Sequence, residues 1–290
     1  MEISAVFEGV FLPKYCQRLE LMLRAFLDAS TSGNPPILAV AGFVGRLDGW
    51  STFHRKWRQA RARAGIEYFH TTEFMSPNGR PYNAWPPKKR TAMFNRLVSL
   101  INECVEFGVA VSLNVADYRR MLASGHALPT KPYRLCVGQC VNLVAKTLTD
   151  RNVDERVIYV FDAGDDGAKA FKATMAMVIA ASEKFREVAR IYSIMPGAKK
   201  DFPAIDAADL LAWIFSHHVP AATPETTTPP SLIGLMTKPV HHRYWGAADL
   251  EKWGICNTPE QQRAIAAMFG VRLKTKIGKQ RKRRPPPVTG

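Results

Sequence analysis

The sequence has no unbroken apolar run of the roughly 18 to 20 residues that a membrane-spanning helix needs, so no such span is expected. Residues 1–20, MEISAVFEGVFLPKYCQRLE, carry an acid at position 2 and a proline within the apolar portion, a poor pattern for a secretory signal. Cysteine is scarce and odd in number, five in all, at positions 16, 104, 136, 140 and 256. Cys136 and Cys140 stand one helical turn apart, but no second pair completes a zinc set or a disulfide framework. Reduced, mostly buried thiols in a cytoplasmic protein are expected. No internal repeat is visible.

Negative charge is also in short supply. Against 40 Lys and Arg there are 25 Asp and Glu, giving a net charge of +15 and a pI near 9.8. Such a surface favours polyanions, and nucleic acid, DNA or RNA, is the commonest of these. Part of the excess sits at the C-terminus, where RLKTKIGKQRKRRPPPVTG holds eight basic residues and no acid before a proline run closes the chain. This reads as a disordered basic tail over residues 271–290, with Arg281 and Arg283 among its phosphate-binding candidates. Without those eight residues the remainder still carries about +7, so the basic character is not confined to the tail.

What is present suffices for a packed domain: 290 residues, 47% hydrophobic, six tryptophans. Residues 1–22 read as an N-terminal extension and residues 23–270 as one domain. MLRAFLDAS and ILAVAGFVG are short apolar runs joined by the turn-rich TSGNPP, which predicts a strand pair. LDGWSTFHRKWRQARARAG changes to helical period, with Phe53, Trp57 and Ala60 on one face and Gly65 as a stop. IEYFH predicts a short strand, TTEFMSPNGRPYNAWPP a loop, PKKRTAMFNRLVSLINECVE a helix and FGVAVSLNV a buried strand. YRLCVGQCVNLVAKTLTD predicts a helix, RVIYVFDAGDD a central strand, AKAFKATMAMVIAASEKF a helix, VARIYSIM a strand and FPAIDAADLLAWIFSHH a last strong helix. A hairpin followed by strands alternating with helices predicts an α/β fold with a mixed sheet covered on both faces. Residues 219–253 give no clear pattern.

The chemistry-bearing residues are carboxylates. Asp28 ends the first strand and Asp162 ends the central one; in open α/β sheets, sites gather beyond the carboxyl ends of strands. Asp209 shares a helical face with Ile205 and Trp213, and a charge on an apolar stripe must find a partner or a metal. A buried pair with an arginine is the other explanation. Asp206 lies one turn earlier, where an acid also complements the helix dipole. Three or four converging carboxylates demand a cation, and an all-oxygen site suits Mg²⁺ or Mn²⁺.

FLDASTSGNPPILAVAGFVG, FHTTEF, VIYVFDAGDD and IDAADLLAW, taken together, resemble the domain-of-unknown-function 3800 family over roughly residues 23–218. That resemblance implies a ribonuclease H-like fold, in which acids on the first strand, a central strand and a late helix hold divalent metal. Position by position it implies Asp28, Asp162 and Asp209 as ligands, with His70 or Glu73 as the middle contribution. The chain departs from the family in two places. Ala29 stands where glutamate is usual, and Asp206 where glutamine is usual; the first removes an acid and the second adds one.

His70 is a candidate to orient water or bind phosphate, or simply to cap its loop. His217 and His218 suit a helix C-terminus, and His241 and His242, being adjacent, fall on opposite sides of any strand. Arg55, Arg58 and Arg61 recur near helical spacing and form a stripe able to track a phosphate backbone, unless they are only a solvated face. Lys88 and Lys89 open a helix, where positive charge is unfavourable without a phosphate partner. Tyr82 and Trp85 precede them and either stack bases or pin the loop to the core. The expected function is metal-dependent hydrolysis of nucleic acid phosphodiester bonds. The alternative is a non-catalytic nucleic-acid-binding or interaction protein of a mobile-element or defence system that keeps the fold.

Overall fold

The computed structural model describes residues 22–30, 36–126, 128–129, 131–163, 183–218 and 236–256. The expectations for residues 1–21, for residues 164–182 and for the basic tail with Arg281 and Arg283 lie outside those residues.

Six strands form one mixed sheet: β1 (Leu23–Ser30), β2 (Ile37–Arg46), β3 (Phe107–Asn114), β4 (Val157–Asp162), β5 (Ile191–Gly197) and β6 (Val240–Trp245), in the order β5-β4-β1-β2-β3-β6. β1, β2 and β3 make an antiparallel meander, with Phe26 opposite Phe43 and Val40 opposite Val111. β4 joins β1 in parallel, β5 joins β4 in parallel, and β6 joins β3 in parallel, so β2 alone runs against the rest. The four inner strands are covered on both faces, which is why β1 through β4 read as near-continuous apolar runs with almost every residue buried. β5 takes an edge and tolerates Pro196 there, since an edge strand has ladder positions that need no N–H donor.

Eight α-helices are present among the described residues: α1 (Leu47–Ala64), α2 (Thr71–Met75), α3 (Pro87–Cys104), α4 (Val115–Ala123), α5 (Pro132–Asp150), α6 (Glu183–Val188), α7 (Ala204–His217) and α8 (Ala247–Cys256). None is long and apolar enough to cross a membrane. On one face α7 lies across β1, β2 and β3, with α1 and α3 packed beside it. α5, with α4, covers the opposite face. Cys104, Cys136 and Cys140 are buried free thiols. α1 ends as its sequence predicts: Gly65 takes φ 75°, a left-handed cap that glycine adopts without strain, and its N–H meets the Ala62 carbonyl at 3.1 Å.

The segment between α1 and α3 differs from its prediction. Residues 66–70 form no strand, and Thr71–Met75 is a short helix rather than loop. The backbone N–H groups of Phe69 and Thr71 bond to carboxylates of α7, which takes them out of any ladder. Tyr82 and Trp85 serve the core: Tyr82 is buried against Phe69 and Phe74, and Trp85 packs edge-on against it at 5.0 Å. α4, β6 and α8 were not foreseen. In β6 the two histidines do diverge, His241 meeting the Phe107 ring and His242 meeting Phe215 and the Ser112 hydroxyl at 3.1 Å.

Trp50 ties α1 to the sheet, its ring 4.8 Å from that of Phe26 and its Nε1 donating to the Arg24 carbonyl at 3.0 Å. Trp50→Ala should lower unfolding free energy by about 3–5 kcal/mol, read from urea denaturation, because a fully buried ring is lost and the site cannot collapse between two packed layers.

Candidate functional site

β1 and β4 pair in parallel with Leu27 level with Phe161, so the next residues, Asp28 and Asp162, stand side by side where that pairing ends; β4 stops at Asp162, whereas β1 runs on to Ser30 alongside β2 instead of ending at Asp28 as the sequence suggested. Each lies two residues beyond a member of the α7-facing layer, Phe26 and Val160, and strand alternation returns both to that face. α7 supplies two more acids in its first two turns, Asp206 and Asp209. Four carboxylates thus come to one end of the sheet, but they divide into two environments.

Asp206 is fully buried and its Oδ2 accepts three bonds: from Arg61 Nη1 at 3.0 Å, Trp57 Nε1 at 2.8 Å and the Phe69 N–H at 3.1 Å. Burial pushes its carboxyl up to about 7 despite the opposing pull of Arg61 and Trp57. These bonds correct two expectations. Asp206 is committed to Arg61 as a buried ion pair and is not placed as a metal ligand. Arg61, four residues after Trp57, continues the apolar stripe of α1 instead of lying on a solvent face, and it cannot track a phosphate backbone while 4% exposed.

Asp28 and Asp209 form the second environment, and the residue that joins them is Lys199. Its Nζ lies 3.1 Å from Oδ2 of Asp28 and 3.3 Å from Oδ2 of Asp209. Asp209 Oδ2 also accepts the Thr71 N–H at 2.8 Å, and Asp28 Oδ1 accepts the Ala29 N–H at 2.7 Å. The contact between Lys199 and Asp28 has ion-pair distance without hydrogen-bond angles, so Oδ2 of Asp28 is buried with no hydrogen-bond donor. Burial pushes the Asp28 carboxyl up to about 7; Lys199 opposes the rise, and the charges of Asp209 and Asp162 add to it. Burial alone would discharge Lys199, but Asp28, Asp209 and Asp162 outweigh it and hold the ammonium above its usual range. Asp162 therefore belongs to the same electrostatic cluster.

Lys199 sits in the turn between β5 and α7, closed by the Asp201 and Phe202 N–H groups on the Ala198 carbonyl. α1 holds that turn from outside: Arg61 Nη1 donates to the Lys199 carbonyl at 3.1 Å and Arg58 Nη2 to that of Asp201 at 2.8 Å. Arg58 is thereby half-buried in a structural bond, while Arg55 on the same helix is exposed. Lys88 and Lys89 are exposed in the first turn of α3, and Lys89 donates to the Ala64 carbonyl at 3.2 Å above the Trp85 ring. His70 is half-buried at the start of α2; its N–H donates to the Tyr82 hydroxyl at 3.2 Å and its Nδ1 is buried without a partner. Glu73 is exposed on α2, and no hydrogen bond or ion pair among the described residues joins it to the three clustered acids.

The donors suit a hard divalent cation in kind: carboxylate oxygens, one of them buried and lacking a hydrogen bond. Yet among the described residues no group of three or more His, Cys, Asp or Glu side chains is already arranged to hold a metal ion. The reason is visible in the geometry, since Asp28 and Asp209 are both turned toward the Lys199 ammonium. Lys199 was not foreseen from the sequence. Its only signal was a lysine just past the end of a predicted strand, in GAKKD, at the sheet end already assigned to Asp162.

The two environments predict opposite consequences for neutral replacements. Asp206→Asn strands the Arg61 guanidinium in the core and should cost about 3–5 kcal/mol in urea unfolding. Asp28→Asn leaves Lys199 paired with Asp209 and should fold as well as the parent or better. The folded-state proton affinity of Asp28 exceeds its ordinary value, so its favourable contribution is complete below about pH 4 and is lost as pH rises toward 7. In chelator-treated buffer the thermal midpoint of Asp28→Asn should therefore gain on that of the parent between those limits; a constant difference would contradict the burial described. Compared with models of known families and with curated proteins, the sequence matches none of them.

Proposed function

We propose that this chain is a metal-dependent hydrolase of nucleic acid phosphodiester bonds, built on a ribonuclease H-like domain and acting in the cytoplasm. The mixed sheet supports the fold reading, since parallel pairing of β1 with β4 brings Asp28 and Asp162 together beneath the late helix α7. The observation that carries the functional reading is the meeting of Asp28 and Asp209, one from the first strand and one from a late helix, at a single cation, with the charge of Asp162 beside them. Three acids gathered from distant parts of the chain make a strongly cation-attracting site on a protein whose overall charge is +15.

Held by Asp28, Asp162 and Asp209, Mg²⁺ or Mn²⁺ would supply an activated water and stabilise the leaving oxygen of a phosphodiester. The chain's own residues do the rest. The Thr71 N–H fixes one oxygen of Asp209, and the Ala29 N–H fixes one of Asp28, so both carboxylates are oriented before any ligand arrives. Thr71 follows His70 directly, so His70 borders the residue that holds Asp209, and its ring Nδ1 is buried without a protein partner. Exposed Arg55 and Lys88 offer phosphate contacts outside the site.

A second reading, a nucleic-acid-binding or interaction protein without catalysis, is favoured by one feature: Lys199 already compensates Asp28 and Asp209, and Ala29 offers no further carboxylate. Thermal stability followed against Mn²⁺ separates the two. The hydrolase should gain about 2.7 kcal/mol of stability when Mn²⁺ reaches a hundred times its dissociation constant. Asp209→Asn should lose both that response and cleavage of single- and double-stranded substrates. A parent that binds nucleic acid, ignores Mn²⁺ and cuts nothing is the non-catalytic protein.

A further inference from the structure

We propose that the Lys199 ammonium is the site's own counter-ion and that it and a divalent metal ion occupy the site by turns, each expelling the other. This rests on the reading of Asp28 and Asp209 as metal ligands. The oxygens a metal needs are the ones Lys199 already faces, Oδ2 of Asp28 at 3.1 Å and Oδ2 of Asp209 at 3.3 Å. The side chains are largely shielded, Lys199 at 13% exposure, Asp209 at 11% and Asp28 at 7%, so little water lies between to screen two cations sharing the same oxygens. Two cations facing the same two oxygens repel at short range, which favours occupancy by one at a time.

The surroundings divide what can move from what cannot. Arg61 and Arg58 clamp the backbone carbonyls of Lys199 and Asp201, so the turn stays in place. The lysine side chain has no such clamp beyond its two ion pairs, and its contact with Asp28 lacks hydrogen-bond geometry. The Asp28 oxygen is thus held only by charge, which a doubly charged ion supplies more strongly. In the metal-free protein the ammonium keeps two buried carboxylates tolerable. On metal entry the flexible stem of the lysine lets its ammonium swing away from the two carboxylates.

Calorimetric titration of the full chain with Mn²⁺ tests the exchange. Lys199→Gln, which removes the competitor, should bind Mn²⁺ at least about tenfold more tightly than the parent. Lys199→Arg, which keeps a cation, should stay within about threefold of it. Weaker or unchanged binding by Lys199→Gln overturns the proposal. Because that variant leaves two carboxylates uncompensated, a second measurement uses the parent alone. Reductive methylation is followed by mass spectrometry of the peptide that also holds exposed Lys200 as an internal reference. With chelator, Lys199 should react at least about tenfold more slowly than Lys200, and saturating Mn²⁺ should close most of that gap. A ratio unmoved by Mn²⁺ that demonstrably binds overturns the exchange but leaves the metal site standing. No Mn²⁺ binding by either the parent or Lys199→Gln overturns the hydrolase reading itself, and the exchange with it.

Discussion

The helix α7 carries two carboxylates, one turn apart, into an apolar layer, and the need to compensate them dictates what packs around it. A buried carboxylate without partners costs several kcal/mol, so each must recruit donors from elsewhere in the chain. Asp206 recruits Arg61 and Trp57 from α1 and the Phe69 N–H. Asp209 recruits the Thr71 N–H and Lys199. Through these bonds one helix fixes α1, the segment from Phe69 to Thr71 and the turn before itself. The fold on this face is organised by polar obligations as much as by its aromatic packing.

The two acids end in different roles because their partners differ in freedom. Asp206 meets a guanidinium and an indole whose own side chains are locked in the core, which makes a closed, structural arrangement. Asp209 meets a backbone N–H and a flexible ammonium at the end of the sheet, beside Asp28 and Asp162. Only the second arrangement can exchange a partner without unpacking the core. Arg61 links the two, since the guanidinium that neutralises Asp206 also grips the carbonyl of Lys199.

Much of the fold was legible from pattern. The meander strands announced themselves as apolar runs, and α1, α3, α5 and α7 as helical periods closed by recognisable punctuation such as Gly65. The exceptions have physical causes. Ile66–His70 has strand composition, yet its N–H groups go to partners that no local pattern reveals: Ile66 to the Arg61 carbonyl, Phe69 to Asp206 of α7 and His70 to the Tyr82 hydroxyl. β6 carries two histidines and an arginine because it is an edge strand, so its apolar signal is weak. Among candidate residues, the strand-end position of Asp162 was readable, while β1 runs two residues past Asp28 because Ala29 and Ser30 still pair with β2. Arg61 was misjudged because charge suggests solvent, while its position four residues after Trp57 places it inside.

By itself the sequence determined that the chain makes an α/β sheet layered by helices, that its composition is basic, and that acids stand in or at the end of two strands and on an apolar helix face, all of which follow from period and composition. Only the tertiary structure decided which cation each acid meets. Asp206 went to Arg61, while Asp28 and Asp209 went to Lys199, because two of these pairings, Arg61 with Asp206 and Lys199 with Asp28, depend on distances between segments more than a hundred residues apart in the chain. Chain order does not encode those distances, and packing alone sets them.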